Sequence, residues 1–257
     1  MKTKKVKSVE SLRRRYGYSF VAHWVIAATL SLKERDEVLR FIINRTNGRV
    51  PIVAGMGSNN TADLVEQLHS FNLDGVVAIL SVVPYYNKPS QEGIYRHFMA
   101  VADASPVPVI IYNVPGRTGL NMTAATTLRL AHATPKIVAI KEACGNIEQM
   151  QAILDGRPED FLVLSGDDGI TVELVKRGGD GVISVAANAF PERFCGCVHN
   201  AMKGNIALAE SDTLLNWVLT VFSFLVSATT KTAFWLSNNR KATESKPTIF
   251  LLTEKSK

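Results

Sequence analysis

Short apolar runs alternate with helical patterns from Ser31 to about Asp212, the runs are dense in Val, Ile and Ala, and polar residues gather just past their ends. Together these features predict an α/β fold, a (β/α)8 TIM barrel rather than two small domains, incomplete where the periodic order is lost toward the two ends. Near-continuous apolar strands are buried on both faces, because helices cover the outside of such a sheet. At 257 residues, 46% of them hydrophobic and 20% charged, the chain has the length and composition to bury one core of this kind.

Strands are predicted over Pro51 to Gly55, Val76 to Val82, Val109 to Val114, Ile137 to Ala143, Phe161 to Ser165 and Gly181 to Val185. The helices between them show their starts. Ser31 with Glu34 makes a capping box, in which each side chain satisfies the other's free backbone amide, and Val38, Leu39 and Ile42 then share one face. Thr61 precedes Leu64, Val65 and Leu68; Ser90 precedes Ile94 and Phe98; Thr123 precedes Thr127, Leu128 and Ala131; Asn146 precedes Met150, Ile153 and Leu154. A closed barrel needs eight strands. The segment Phe20 to Ile26 supplies a further strand by composition, and after Asp212 the periodic order stops. The chain is therefore read as an N-terminal segment (1–26), a barrel body (27–212) and a C-terminal tail (213–257) in which the periodic order is lost.

The formal charge of +6 gathers at the two ends, from Lys2 to Arg15 and from Lys231 to Lys257, while the middle is nearly balanced. A nucleic-acid module lays its basic residues along one face, interleaved with stacking aromatics, so no nucleic-acid partner is expected. Three cysteines make no disulfide framework and suit a reducing compartment. A cytoplasmic location is expected, since no apolar signal segment follows the basic N-terminus. The apolar stretch Leu214 to Ala228 contains Asn216, Thr220, Ser223 and Ser227 and falls short of a membrane span, so no membrane partner is expected either. Cys195, Cys197 and His199 lack a second ligand pair at zinc-like spacing, and no metal is expected.

In a parallel barrel the functional groups collect at the carboxyl ends of the strands. Lys141 ends the run Ile137-Val138-Ala139-Ile140, and alternation puts it on the side of Ala139 and Ile137, facing the barrel interior or its mouth. An amine held there pays desolvation, which lowers its pKa and raises the neutral fraction that attacks a ketone to form an imine. The bland alternative is a lysine that reaches water or pairs with Glu142. Tyr112 ends the preceding strand at comparable height, where it could shuttle protons with Tyr86 as a hydrogen-bonded partner, or simply pack. Arg117, beyond Pro115-Gly116, suits bidentate capture of a carboxylate at the mouth, or is a surface arginine. Gly178-Gly179-Asp180-Gly181 precedes a strand and opens no helix, so it reads as a helix stop and turn rather than a phosphate loop.

The strings PYYNKPSQEG (84–93), YNVPGRTG (112–119), IKEACGN (140–146), SGDD (165–168) and GVISVAAN (181–188) resemble the dihydrodipicolinate synthase family, from about Ala27 to near Asp212. The Lys141 motif alone would admit related pyruvate lyases such as N-acetylneuraminate lyase. PYYNKPSQEG together with Arg117 points to the synthase. The resemblance implies a class I lyase in which pyruvate condenses with Lys141, becomes an enamine, and attacks aspartate semialdehyde to give 4-hydroxy-tetrahydrodipicolinate, the entry to diaminopimelate and lysine. By the same resemblance Tyr112 is the proton donor and acceptor, and Tyr86 is a relay tyrosine contributed across the interface of a homo-oligomer. Arg117 then holds the semialdehyde carboxylate, and Gly166 and Ile183 line the pyruvate site. No metal or organic cofactor is implied, the covalent imine on Lys141 serving instead.

The family's Gly-Thr-Thr-Gly-Glu motif is replaced here by Ala22, His23, Trp24, Val25 and Ile26, which removes the threonine hydroxyls expected to complete the relay and bind the pyruvate carboxylate. Preserved spacing beside the altered motif suggests a shifted reading frame. Two other readings stay open at this point: a catalytically inactive remnant of the family, and a related pyruvate lyase acting on a sugar acid.

Overall fold

The computed structural model describes residues 19–20, 30–188 and 190–211. Positions 22 to 26, where the threonine motif is replaced, and the tail from 213 lie outside the described residues. Among the described residues seven strands form one sheet: β1 (Ser19–Phe20), β2 (Val53–Gly55), β3 (Ala78–Val82), β4 (Val109–Asn113), β5 (Ile137–Glu142), β6 (Leu162–Ser165) and β7 (Gly181–Ile183). Their order is β1-β7-β6-β5-β4-β3-β2, and each neighbouring pair is parallel. Helices α1 (Leu32–Thr46), α2 (Thr61–Ser70), α3 (Gln91–Ala104), α4 (Pro115–Thr118), α5 (Ala124–Ala133), α6 (Ile147–Gly156), α7 (Thr171–Lys176) and α8 (Pro191–Met202) fill the connections. This is the α/β arrangement of a (β/α)8 barrel, incomplete among the described residues.

All six strands expected between Pro51 and Val185 are present, their ends within two residues of the sequence reading. At the front, β1 includes Phe20, the first residue of the segment expected from Phe20 to Ile26, the rest of which lies outside the described residues; Ser19 and Phe20 pair with Val182 and Ile183. Ser31 caps α1 with a complete capping box. Ser90, Thr123 and Asn146 cap α3, α5 and α6, each side chain accepting from a backbone amide in the first turn. At α2 the cap is Asn60, whose carbonyl oxygen accepts from Ala62 and Asp63. Thr61 instead turns its hydroxyl to His97 Nδ1 at 2.8 Å, tying α2 to α3. Gly178 takes φ +101, and the turn before β7 closes as expected.

Strand alternation sorts the side chains into two layers. Ile79, Ile111, Ile140 and Val163 pack outward with Leu64, Ile94, Phe98 and Met150 from the helices. Leu80, Val82, Ile110, Tyr112, Ala139, Leu164 and Ile183 pack together on the inner face. One expectation about this alternation is corrected. Ile137 belongs to the outer layer, not to the side of Lys141. The β4–β5 register slips there, Val109 pairing Ile137 but Ile110 pairing Ala139, so the extra residue Val138 reverses the phase. From Ala139 onward the alternation is regular, and Lys141 keeps its inward direction.

Candidate active site

Three strand ends meet around Lys141. In the parallel ladder Val82 stands beside Tyr112, Tyr112 beside Lys141, and Lys141 beside Leu164. Because these residues share one rung, Tyr112 and Lys141 project to the same inner face at the same height. Lys141 Nζ lies over the Tyr112 ring, 4.2 Å from its centroid. Both side chains are buried, Lys141 at 4% exposure and Tyr112 at 6%. Burial is the dominant cause that lowers the Lys141 amine to a pKa of about 8 from 10.5; Asp168 opposes the shift and Arg117 adds to it. Burial also raises the Tyr112 phenol, Arg117 pulling it down and Asp167 pushing it up.

Glu142 does not pair with Lys141. It is the next residue on β5, points to the opposite face, and is wholly buried among Asn113, Gln149 and the backbone of Cys144. The bland reading of the lysine as one half of a Lys141–Glu142 pair is thereby corrected by alternation.

Gly166 follows β6 and donates its N–H to the Glu142 carbonyl at 2.7 Å. A Cβ built on it would stand 2.7 Å from Ala143 Cβ and 3.1 Å from Lys141 Cε, so only glycine leaves the backbone this close to the lysine stem. Ile183 ends β7, fully buried on the inner face with Leu164 and Tyr112. Arg117 lies exposed in the short helix α4, close enough for its charge to act on both Tyr112 and Lys141. The sequence reading thus places Lys141, Tyr112, Gly166, Ile183 and Arg117 in one neighbourhood.

Tyr86 is different. It is 87% exposed, on a loop where it takes φ +71 and Lys88 takes φ +43, and within this chain it does not pack on Tyr112. Side chains rarely adopt such backbone angles outside glycine, and the loop is held by Asn87 Nδ2 donating to the Asn59 carbonyl and Tyr86 N–H to the Thr118 carbonyl.

Asp168 was not singled out by the sequence. It follows β6, is buried, and accepts at Oδ2 from the amides of Val185 and Ala186 at 3.1 and 2.8 Å. Burial raises its carboxyl above the usual range while these amides pull it back, and it is the carboxylate whose charge acts on Lys141. A second acid at the strand end, in SGDD, was the available signal. Cys195 and Cys197 lie on α8, and Cys197 is buried with its thiol donating to the Ala209 carbonyl. Among the described residues no group of three or more His, Cys, Asp or Glu is placed to hold a metal ion. Among the same residues no helix is long and apolar enough to cross a membrane.

The sequence pattern of the dihydrodipicolinate synthetase family matches residues 27–236. The chain belongs to that family. The match continues past residue 212 into the tail. Over 181 residues the chain is 55% identical to the 4-hydroxy-tetrahydrodipicolinate synthase of Phocaeicola vulgatus, which covers 70% of this chain and 61% of that relative. It is 52% identical over 183 residues to the synthase of Parabacteroides distasonis, covering 71% and 62%. The chain thus spans 61 to 62% of the length of these curated relatives. Among solved structures it resembles the dihydrodipicolinate synthase of Aquifex aeolicus, with a TM-score of 0.78 at 33% identity over 90% of this chain and 80% of that one. It also resembles the Acinetobacter baumannii enzyme complexed with pyruvate, with a TM-score of 0.74 at 39% identity over 83% and 75%. A monomeric variant of the family aligns with a TM-score of 0.73 at 30% identity over 80% and 70%.

Proposed function

We propose that this chain carries a pyruvate imine on Lys141 and condenses it with aspartate semialdehyde to give 4-hydroxy-tetrahydrodipicolinate. The observation that carries the reading is the buried amine of Lys141 on the same rung as the Tyr112 phenol. With a pKa of about 8 a tangible fraction of the amine is neutral near neutral pH, where an ordinary lysine is almost wholly protonated.

In this reading the neutral Lys141 amine attacks the ketone carbon of pyruvate, and water leaves as the C=N bond forms. Loss of a methyl proton gives the enamine, whose carbon attacks the aldehyde of the semialdehyde; the semialdehyde's own amine then attacks the imine carbon, closing the ring as the bond to Lys141 breaks and the lysine amine is released. Tyr112 moves the protons at Lys141 and at the ketone oxygen through its hydroxyl, since it shares a rung with Lys141 and its ring lies 4.2 Å from the amine. Arg117 receives the semialdehyde carboxylate at the mouth, and the backbone at Gly166 and Ile183 lines the place of the pyruvate. The imine supplies the electron sink, so the reaction draws on no metal or organic cofactor. Exposed Tyr85 and Tyr86 suit a contact between copies of the chain, through which Tyr86 would reach a partner's site in a homo-oligomer. The place of action is the cytoplasm.

A coupled assay tests the choice of second substrate. With pyruvate present, consumption of aspartate semialdehyde with formation of the cyclic product supports the proposal. Turnover with a sugar aldehyde instead of the semialdehyde would assign the chain to the sugar-acid lyases, and turnover with neither would make it an inactive member of the family.

A further inference from the structure

We propose that Glu142 and Asn113 form a buried clamp that acts as a positioning device for Lys141 and Tyr112. The inference rests on reading Lys141 as the reactive amine. On the last rung of the β4–β5 ladder Asn113 pairs with Glu142, one step beyond Tyr112 and Lys141. Alternation sends the second pair outward while the first points in, so whatever fixes Asn113 against Glu142 also fixes the directions of the two inner side chains.

The outer pair is fixed firmly. Asn113 Nδ2 donates to both carboxylate oxygens of Glu142, at 2.9 and 3.0 Å. The Cys144 amide donates to Oε1 at 2.9 Å and Gln149 Nε2 to Oε2 at 3.2 Å. Every one of these partners is a donor. A carboxylate answers all of them, whereas an amide or a protonated acid would set a donor against a donor in a site closed to solvent. Glu142 and Asn113 are both fully buried, so an unanswered donor there is costly. Asn113 Oδ1 also accepts from the Met122 amide at 3.0 Å, and Nδ2 donates to Asn121 Oδ1 at 2.8 Å. The clamp thereby reaches the loop that follows Arg117, and strand ends that would otherwise fray are held in register.

A positioning role and a purely electrostatic one move Lys141 in opposite directions. Removing a nearby negative charge makes an ammonium less favourable and lowers its pKa. Loosening the strand ends lets water reach the amine and raises its pKa toward the ordinary lysine value. The test is competitive labelling of Lys141 with acetic anhydride across pH, read by peptide mass spectrometry, in the full chain and in Glu142→Gln. The expected result is a labelling midpoint that rises from about 8 toward 10.5, with labelling at pH 8 slowed about tenfold or more. Should Glu142→Gln fail to fold, Gln149→Met removes the half-buried donor to Oε2, along with Gln149's contacts to Asn121 and the Met122 carbonyl, and leaves the Asn113 and Cys144 donors on the carboxylate; the same rise, smaller, is expected. A midpoint that stays put or falls in a folded variant overturns the proposal. Because the label is an anhydride, failure of the unaltered chain to react with pyruvate would count against the proposed function and leave this result standing.

Discussion

Lys141 Nζ sits 4.2 Å from the centre of the Tyr112 ring, on the adjacent strand and the same rung of the ladder. A ring face attracts an ammonium, yet the burial that comes with it favours the neutral amine and wins, leaving the pKa near 8. The ring and its hydroxyl therefore have separable parts to play.

Replacing Tyr112 with Phe keeps the ring and removes the proton carrier. Turnover should fall by roughly 10²- to 10⁴-fold. The rate of imine formation should still rise with pH and level off above about 8, as the amine loses its proton. A pH–rate profile of pyruvate capture in both proteins checks this, and full turnover in Tyr112→Phe would remove the tyrosine from the mechanism.

Lys141 also has a cost in stability, and its sign is fixed by the direction of the shift. In the unfolded chain the amine keeps its proton up to about pH 10.5, while in the folded chain it gives the proton up at about 8. Below pH 8 folding must bury a charge, at a penalty on the order of 3 kcal/mol, which fades as pH rises to 10.5. Lys141→Met should therefore unfold at higher urea concentration than the unaltered chain at pH 7, with the gap closing by pH 10.5. A gap that widens with pH would contradict this.

Gly166→Ala should impair the site without replacing a reactive group. The new methyl would meet Ala143 Cβ at 2.7 Å and Lys141 Cε and the Glu142 carbonyl at 3.1 Å, so the lysine stem or the strand end must move. A loss of about 1 to 3 kcal/mol in stability is expected from overpacking of this kind. Pyruvate capture should slow more than thermal melting alone explains, which capture kinetics measured well below the melting temperature would show.

Much of this site was legible because strand ends are legible. An apolar run that stops at a lysine, as Ile137 to Ile140 does, fixes both an element and a direction, and the caps at Ser31, Ser90, Thr123 and Asn146 fixed the connections between strands. Alternation could not reveal the slip at Val138, since one extra residue in a run of uniformly apolar side chains changes nothing in the pattern while reversing Ile137. Alternation turns Glu142 away from Lys141, but spacing could not show that it meets Asn113, a residue on another strand. Asp168 escaped for a similar reason: its partners, the amides of Val185 and Ala186, come from a different loop and carry no signature in their side chains.

The central claim concerns the amine of Lys141, and its most direct test is reduction with borohydride in the presence of pyruvate. Mass spectrometry of the digested protein should find pyruvate linked to the peptide bearing Lys141, and Lys141→Met should abolish the adduct. Absence of an adduct on a folded chain, or an adduct on another lysine, would contradict the claim.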